Sequence, residues 1–387
     1  MSIISILIEK TPIKLQTIAW TIPKSYANFK KTLDKEKDEL ANIFNDKKKT
    51  NIFRQLDLFK NEKSIIAKMG NTYNVSNAWL KCYELLSYYN IIPNEVKESY
   101  VHFGNAEFPG SFICASHHYI ATKTNWLNKY IWKGSSLVEI NELNEQPLAD
   151  EYALWKNYTD NWLMNKIHSG DVLNKDNQHY FEKYFKHTVD LYTADLGFDV
   201  SKDPNAQEKL QLQPNIGQVL SGLLTLKNGG NQITKQYMFF EPRTISLFAL
   251  LSNLFKKLYI CKPVSSKKAN SEIYLVGLNY TYNEPIVYHI LNNLDNELPF
   301  CKVGKKFLQQ IEKISKVIFN EQIEKIKQDI KLVNDEVNLS TGINTYKPIM
   351  ENQLIDWYSK YPILPIEHIK RLNMKDKFKQ MYNKLIS

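Results

Sequence analysis

Between about residues 100 and 280, short β-rich runs alternate with helical stretches, and few architectures accommodate that order. Tyr100-Val101-His102-Phe103, Val189 to Ala194, Asn231 to Tyr237, Leu258 to Lys262 and Glu272 to Leu278 read as strands. Between them, the Pro109-Gly110 turn leads into one helix, and Thr244 to Phe255 reads as a buried one. Ile216, Val219, Leu220, Leu223 and Leu224 line a face of another, which Gly229-Gly230 should terminate. The alternation predicts a doubly wound, mostly parallel sheet flanked by helices. With 387 residues, 43% of them apolar, the chain can build one large α/β domain with additions, or two smaller domains.

The flanks have a different texture. Residues from about 26 to 66 place Phe29, Leu33, Leu40, Ile43 and Phe44 at helical intervals, with a solvated basic face around Lys47, Lys48 and Lys49. A helix from about 76 to 90 is announced by Ser76 as N-cap and closed before Pro93. Beyond about 284, Phe307, Ile311, Ile314, Ile318, Ile323, Ile326 and Ile330 mark one long amphipathic helix, and Ile366 to Ile386 suggests another. These textures divide the chain into a mainly helical 1–70, an α/β 71–284 and a helical 285–387.

Ile3 to Ile8 is too short for a signal peptide and reads as a strand or packed segment. No stretch reaches the roughly 18 apolar residues that span a bilayer, so a soluble protein is expected. Cys82, Cys114, Cys261 and Cys301 are far apart, which argues against a zinc site or disulfide framework and fits a reducing compartment. A formal charge of +9 suits an RNA partner without proving one.

Ligands of an open parallel sheet bind beyond the carboxyl ends of its strands, so residues there are read first. Asp195 follows one strand, Lys235 lies toward the end of the next, and Glu272 begins a later one. Lys81 has to come from the preceding helix. Singly, each has an ordinary explanation: a solvated lysine, a helix-capping Asp, a Glu paired with Lys267 or Lys268.

Together with their contexts these residues resemble the FtsJ-like (RrmJ-type) family of S-adenosylmethionine-dependent 2′-O-methyltransferases, especially cap-methylating members encoded by large cytoplasmic DNA viruses. The matching segments are Ala78 to Leu86, Glu107 to Phe112, Leu191 to Val200, Leu226 to Lys235 and Pro263 to Val276. The resemblance implies a Rossmann-like seven-stranded sheet, a Lys81-Asp195-Lys235-Glu272 tetrad, and Lys235 as general base. An ordinary lysine, with a pKa near 10.4, is protonated at neutral pH. A second cation beside it disfavours that protonation, the task implied for Lys81, while Asp195 and Glu272 would orient the ribose hydroxyl.

For the donor, the resemblance implies a turn of the form D-x-G-x-x-P-G-G. Aligned on Pro109 and Gly110, it places Gly104 at the acidic position, Ala106 at the first glycine and Ser111 at the last, with Glu107 available for a polar role. Asp171 resembles the acid that contacts the adenine, its alternative being an ordinary turn Asp; Ser135 and Ser136 lie where a second strand should end. Lys262 to Lys268, with Lys302, Lys305 and Lys306, are candidate phosphate contacts.

The resemblance thus implies methylation of the first transcribed nucleotide of capped mRNA in the cytoplasm, or a viral factory or virion, without metal or membrane and with other capping enzymes as candidate partners. Two readings stand beside it: the same chemistry on ribosomal or transfer RNA, and a non-catalytic RNA-binding or capping-complex scaffold.

Overall fold

The computed structural model describes residues 2–72, 74–137, 150–165, 167–198 and 203–372. Seven strands form one mixed sheet: β1 (Ile4–Ile8), β2 (Tyr100–Asn105), β3 (Tyr130–Ser135), β4 (Val189–Ala194), β5 (Leu226–Tyr237), β6 (Phe255–Lys262) and β7 (Glu272–Tyr280). Their order is β1-β6-β7-β5-β4-β2-β3. β2 runs parallel to β3 and β4, and β4 parallel to β5; β6 is antiparallel to both β1 and β7. The helices are α1 (Lys24–Ile43), α2 (Lys47–Phe53), α3 (Glu62–Met69), α4 (Asn77–Tyr89), α5 (Ser111–Lys123), α6 (Leu154–Asn157), α7 (Lys175–Phe185), α8 (Gln207–Thr225), α9 (Pro242–Leu254), α10 (Glu284–Asn292), α11 (Lys305–Leu339) and α12 (Gly342–Lys360).

The expected Rossmann-like sheet with flanking helices is therefore present, and the apolar run at the N-terminus is its edge strand β1. Two boundaries differ from expectation. α8 ends at Thr225, and Gly229-Gly230 lies inside β5. Val189 pairs with Leu226 and Leu191 with Asn231, so the longer stretch of β5 carries a register shift, and the glycines accommodate a bulge rather than a helix end. α4 closes on left-handed Asn90 (φ 49°), before Pro93. At the C-terminus, Ile366 to Leu372 holds only the short turn His368–Lys370, and the rest of the expected helix lies outside the described residues.

The chain divides into two compact units, each discontinuous in sequence. One comprises residues 1–60, 197–216 and 235–360. Its helical core joins Leu40, Ile43 and Ile52 to Ile326, Val333 and Tyr346, because the apolar stripes of α1, α2 and α11 have nowhere else to be buried. The other comprises residues 61–196, 217–234 and 361–387. There Phe103 packs on Phe181, Phe185 and Tyr192, and Ile113, Trp132, Tyr152, Leu154, Trp162 and Met164 form a second cluster.

Candidate active site

Gly104 and Asn105 end β2, and the chain then turns through Ala106 (φ 50°) and Gly110 (φ 105°) into α5. Positive φ at Gly110 is inexpensive without a Cβ, and it releases the first amides of α5 from the preceding strand. The Glu107 carboxylate caps them: Ile113 N–H donates to Oε1 at 2.6 Å, and Thr193 Oγ1 donates to Oε2 at 3.1 Å. The same Thr193 hydroxyl meets His102 Nε2 at 2.8 Å, and His102 Nδ1 meets the Tyr130 hydroxyl at 2.7 Å. Burial, with the Asp195 charge adding to it, pushes Glu107 well above the usual carboxylate range, against the backbone donors that favour its charge. Burial alone drives His102 down to about 3, so its ring is neutral at ordinary pH.

A Cβ on Gly104 would collide with Glu107 Oε2. The Glu107 carboxyl group thus fills the space beside position 104. Ser111, at the last position of the glycine pattern, starts α5 and bonds Ser76 Oγ (3.0 Å) and the Tyr152 hydroxyl (3.1 Å).

Ser135, Ser136, Gly170 and Asp171 come together in the same unit. Gly170 (φ 76°) lies so close to the Ser136 carbonyl that no other residue fits there. Asp171 Oδ1 accepts from Leu173 N–H at 2.9 Å, which makes it a turn former, and the Asp171 carbonyl accepts from Asn177 Nδ2 at 3.0 Å. Ser135 Oγ is buried at the carboxyl end of β3 without a hydrogen-bond partner among the described residues. A buried hydroxyl left so is expensive, and it fits a polar ligand reaching this strand end. The residues present therefore suit the nucleoside end of S-adenosylmethionine.

Of the four tetrad residues, two stand on each unit. Lys81 lies on α4, whose Ser76 cap accepts from Trp79 N–H at 3.0 Å, and it is 8% exposed. Asp195 directly follows β4. Ala194 is in register with Thr234, and the next residue along β5 is Lys235, 7% exposed. The Lys235 amine is held over the backbone just beyond β4: a Cβ on Gly197 would stand 2.8 Å from Nζ and 2.7 Å from the Tyr237 hydroxyl.

Glu272 opens β7 and is 6% exposed; Ser266 Oγ donates to its Oε1 at 3.0 Å. The turn before it is fixed by Lys262, whose Nζ donates to Asn270 O, Asn270 Oδ1 and Glu272 O, each at 2.7 Å. Lys262 was expected at phosphate; it is instead turned inward and spent on the backbone. Lys267 pairs with Asp57 (3.2 Å) and Lys268 with Glu321 (2.7 Å). Lys302, Lys305 and Lys306 are exposed where α11 begins. Sequence reasoning did not single out Ser266 and Gly197 and gave Lys262 another role, since nothing in their spacing distinguishes a loop anchor from a solvated residue. Among the described residues no group of three or more His, Cys, Asp or Glu is placed to hold a metal ion, and no helix is long and apolar enough to cross a membrane.

Comparison with known proteins agrees with this geometry. A probable methyltransferase, EP424R, of African swine fever virus is 34% identical over 347 residues, covering 84% of this chain and 78% of that protein. A cap-specific mRNA (nucleoside-2′-O-)-methyltransferase 2 of Drosophila melanogaster is 28% identical over 314 residues, 76% of this chain and 44% of its own length. An uncharacterised mimivirus protein, L511, is 33% identical over 231 residues, 58% of this chain and 28% of that one. The profile of FtsJ-like methyltransferases matches residues 74–280, more than half of the chain. With this match and its sheet, the chain belongs to the FtsJ-like methyltransferase family, whose methyl donor is S-adenosylmethionine.

Proposed function

We propose that the chain methylates the ribose 2′-hydroxyl of the first transcribed nucleotide of capped mRNA. The observation that carries this reading is Lys235: a buried lysine on β5 whose amine lies against Gly197, in a chain of this family. When bound, S-adenosylmethionine supplies a methyl group on a positively charged sulfur, an electrophile already activated for displacement. Lys235 Nζ takes the proton from the 2′-hydroxyl as its oxygen attacks. Lys81 takes the part of the second cation that the family resemblance assigns to it. Asp195 and Glu272 take the orienting parts that the family resemblance assigns to them, and Ser266 and Lys262 hold Glu272. On the donor side, Gly104, Ala106, Glu107, Pro109 and Gly110 shape the turn after β2, while Ser135 and the loop of Asp171 take the nucleoside end.

The cap as substrate is supported by the Drosophila relative, which is named for it and is less than half covered by this chain. The division into 1–70, 71–284 and 285–387 is kept as a functional one, with transfer in the middle segment and substrate handling shared by the flanks. The test compares methyl transfer to cap-0 RNA, the same RNA uncapped, and a structured ribosomal RNA fragment, followed by mapping of the methyl group. Transfer confined to capped RNA, on the first nucleotide, is expected; equal transfer to uncapped RNA, or a methyl on the second nucleotide, would overturn the assignment.

A further inference from the structure

A cleft of about 720 Å³ lies within the unit that carries Lys235 and Glu272. That volume is in the range of ligand sites. Its walls join segments that the family profile does not reach, on α1, α2 and α11, to the turn leading into Glu272. Phe44 and Phe198 on its lining are 51% and 48% exposed. Phe53 stands edge-on to Phe44, with ring centres 5.2 Å apart, and so fixes that ring's orientation. Lys37 and Arg54 supply positive charge, Lys267 is paired with Asp57, and none of the described lining residues is itself acidic.

The cleft is tied to the catalytic residues at two points. Phe198 follows Gly197, against which the Lys235 amine lies. Ser271 precedes Glu272 and accepts from Gln322 Nε2 at 3.1 Å, which fastens that turn to α11.

We infer that this cleft holds a nucleotide of the transcript neighbouring the methylated ribose, its base packed between Phe198 and Phe44 and its phosphates facing Arg54. The inference rests on the RNA substrate proposed above. Exposed aromatic rings interleaved with cations are the recurring chemistry of single-strand recognition, since every base has a stacking face and every linkage a negative charge. Lys37 agrees: burial holds it down to about 8, against the opposing pull of Asp34, so a phosphate drawn into the cleft would favour its charged form.

The test measures binding of a fluorescent single-stranded RNA of about ten nucleotides to the full chain and to Phe198→Ala, Phe44→Ala and Arg54→Gln, each first checked for folding by thermal unfolding. Either phenylalanine variant is expected to weaken RNA binding about tenfold. Arg54→Gln is expected to flatten the dependence of log affinity on log salt by about 0.7, one phosphate contact on a single strand. Binding of a cap dinucleotide should be unaffected in all three. Unchanged RNA affinity and salt slope in folded variants would overturn the inference, as would loss of cap-dinucleotide binding with RNA binding intact. Methyl transfer by the unaltered chain is measured separately: with no transfer but RNA binding sensitive to Phe198→Ala, the proposed reaction fails and the cleft stands.

Discussion

The Glu107 carboxylate occupies the space into which any side chain on Gly104 would project. The two positions are therefore coupled: the strand end is bare because the turn returns an acid to it. Gly104→Ala should displace Oε2 from Thr193 and loosen the cap on Ile113 N–H, lowering stability by about 2–3 kcal/mol. Adding Glu107→Ala should cost less than the sum of the two single changes, and a double-mutant cycle in urea measures that coupling. Strict additivity would mean that the two groups do not compete for one space.

Gly197→Ala separates stability from chemistry. The added methyl meets only the far ends of two flexible side chains, at 2.8 Å from Lys235 Nζ and 2.7 Å from the Tyr237 hydroxyl. Unfolding free energy should change by less than about 1 kcal/mol, while kcat falls at least about tenfold because the base is moved. Donor binding by calorimetry should be unaltered. Full turnover in this variant would show that the amine need not sit where it does.

Lys262 acts through Glu272 rather than on substrate. Lys262→Met removes three bonds that fix the turn from Asn270 to Glu272. We expect kcat to drop with KM for the donor little changed, and Ser266→Ala to do the same more weakly, since it removes one bond to Glu272 Oε1. A change confined to donor KM would place this turn elsewhere in the mechanism.

His102 gives the fold a defined response to acid. Burial holds it down to about 3, whereas an unfolded histidine titrates near 6.5. The stability that depends on its neutral form is complete above about pH 6.5 and is lost as pH falls toward 3. His102→Gln lacks this loss, so its stability deficit relative to the unaltered chain should narrow by up to about 1.4 kcal/mol per pH unit below 6.5. Urea unfolding at several pH values checks it; a constant deficit between about pH 7 and pH 5 would contradict the buried neutral ring.

What could be read in the sequence was the sheet, because buried strands and the turns between them leave local signatures. Ser76 capped its helix as its type suggests, and the N-terminal apolar run became an edge strand. Gly229-Gly230 was misread because a glycine pair serves a bulge as readily as a helix end. A polar role for Glu107 was legible, but not that its carboxylate fills the space left by the missing side chain of Gly104, since spacing does not reveal packing. Lys262 looked like a phosphate contact because a charge run does not say which members turn inward. The cleft beside Phe198 joins residues from Lys37 to Gln322, and no linear pattern connects them.

The most direct test of the account is methyl transfer from labelled S-adenosylmethionine to cap-0 RNA by the unaltered chain and by Lys235→Ala, with the product digested to nucleosides and its methyl position identified by mass spectrometry. The expected result is a ribose 2′-O-methyl nucleoside from the unaltered chain, and none from a Lys235→Ala protein that folds and binds donor normally. A methyl group on a base, or undiminished ribose methylation without Lys235, would contradict it.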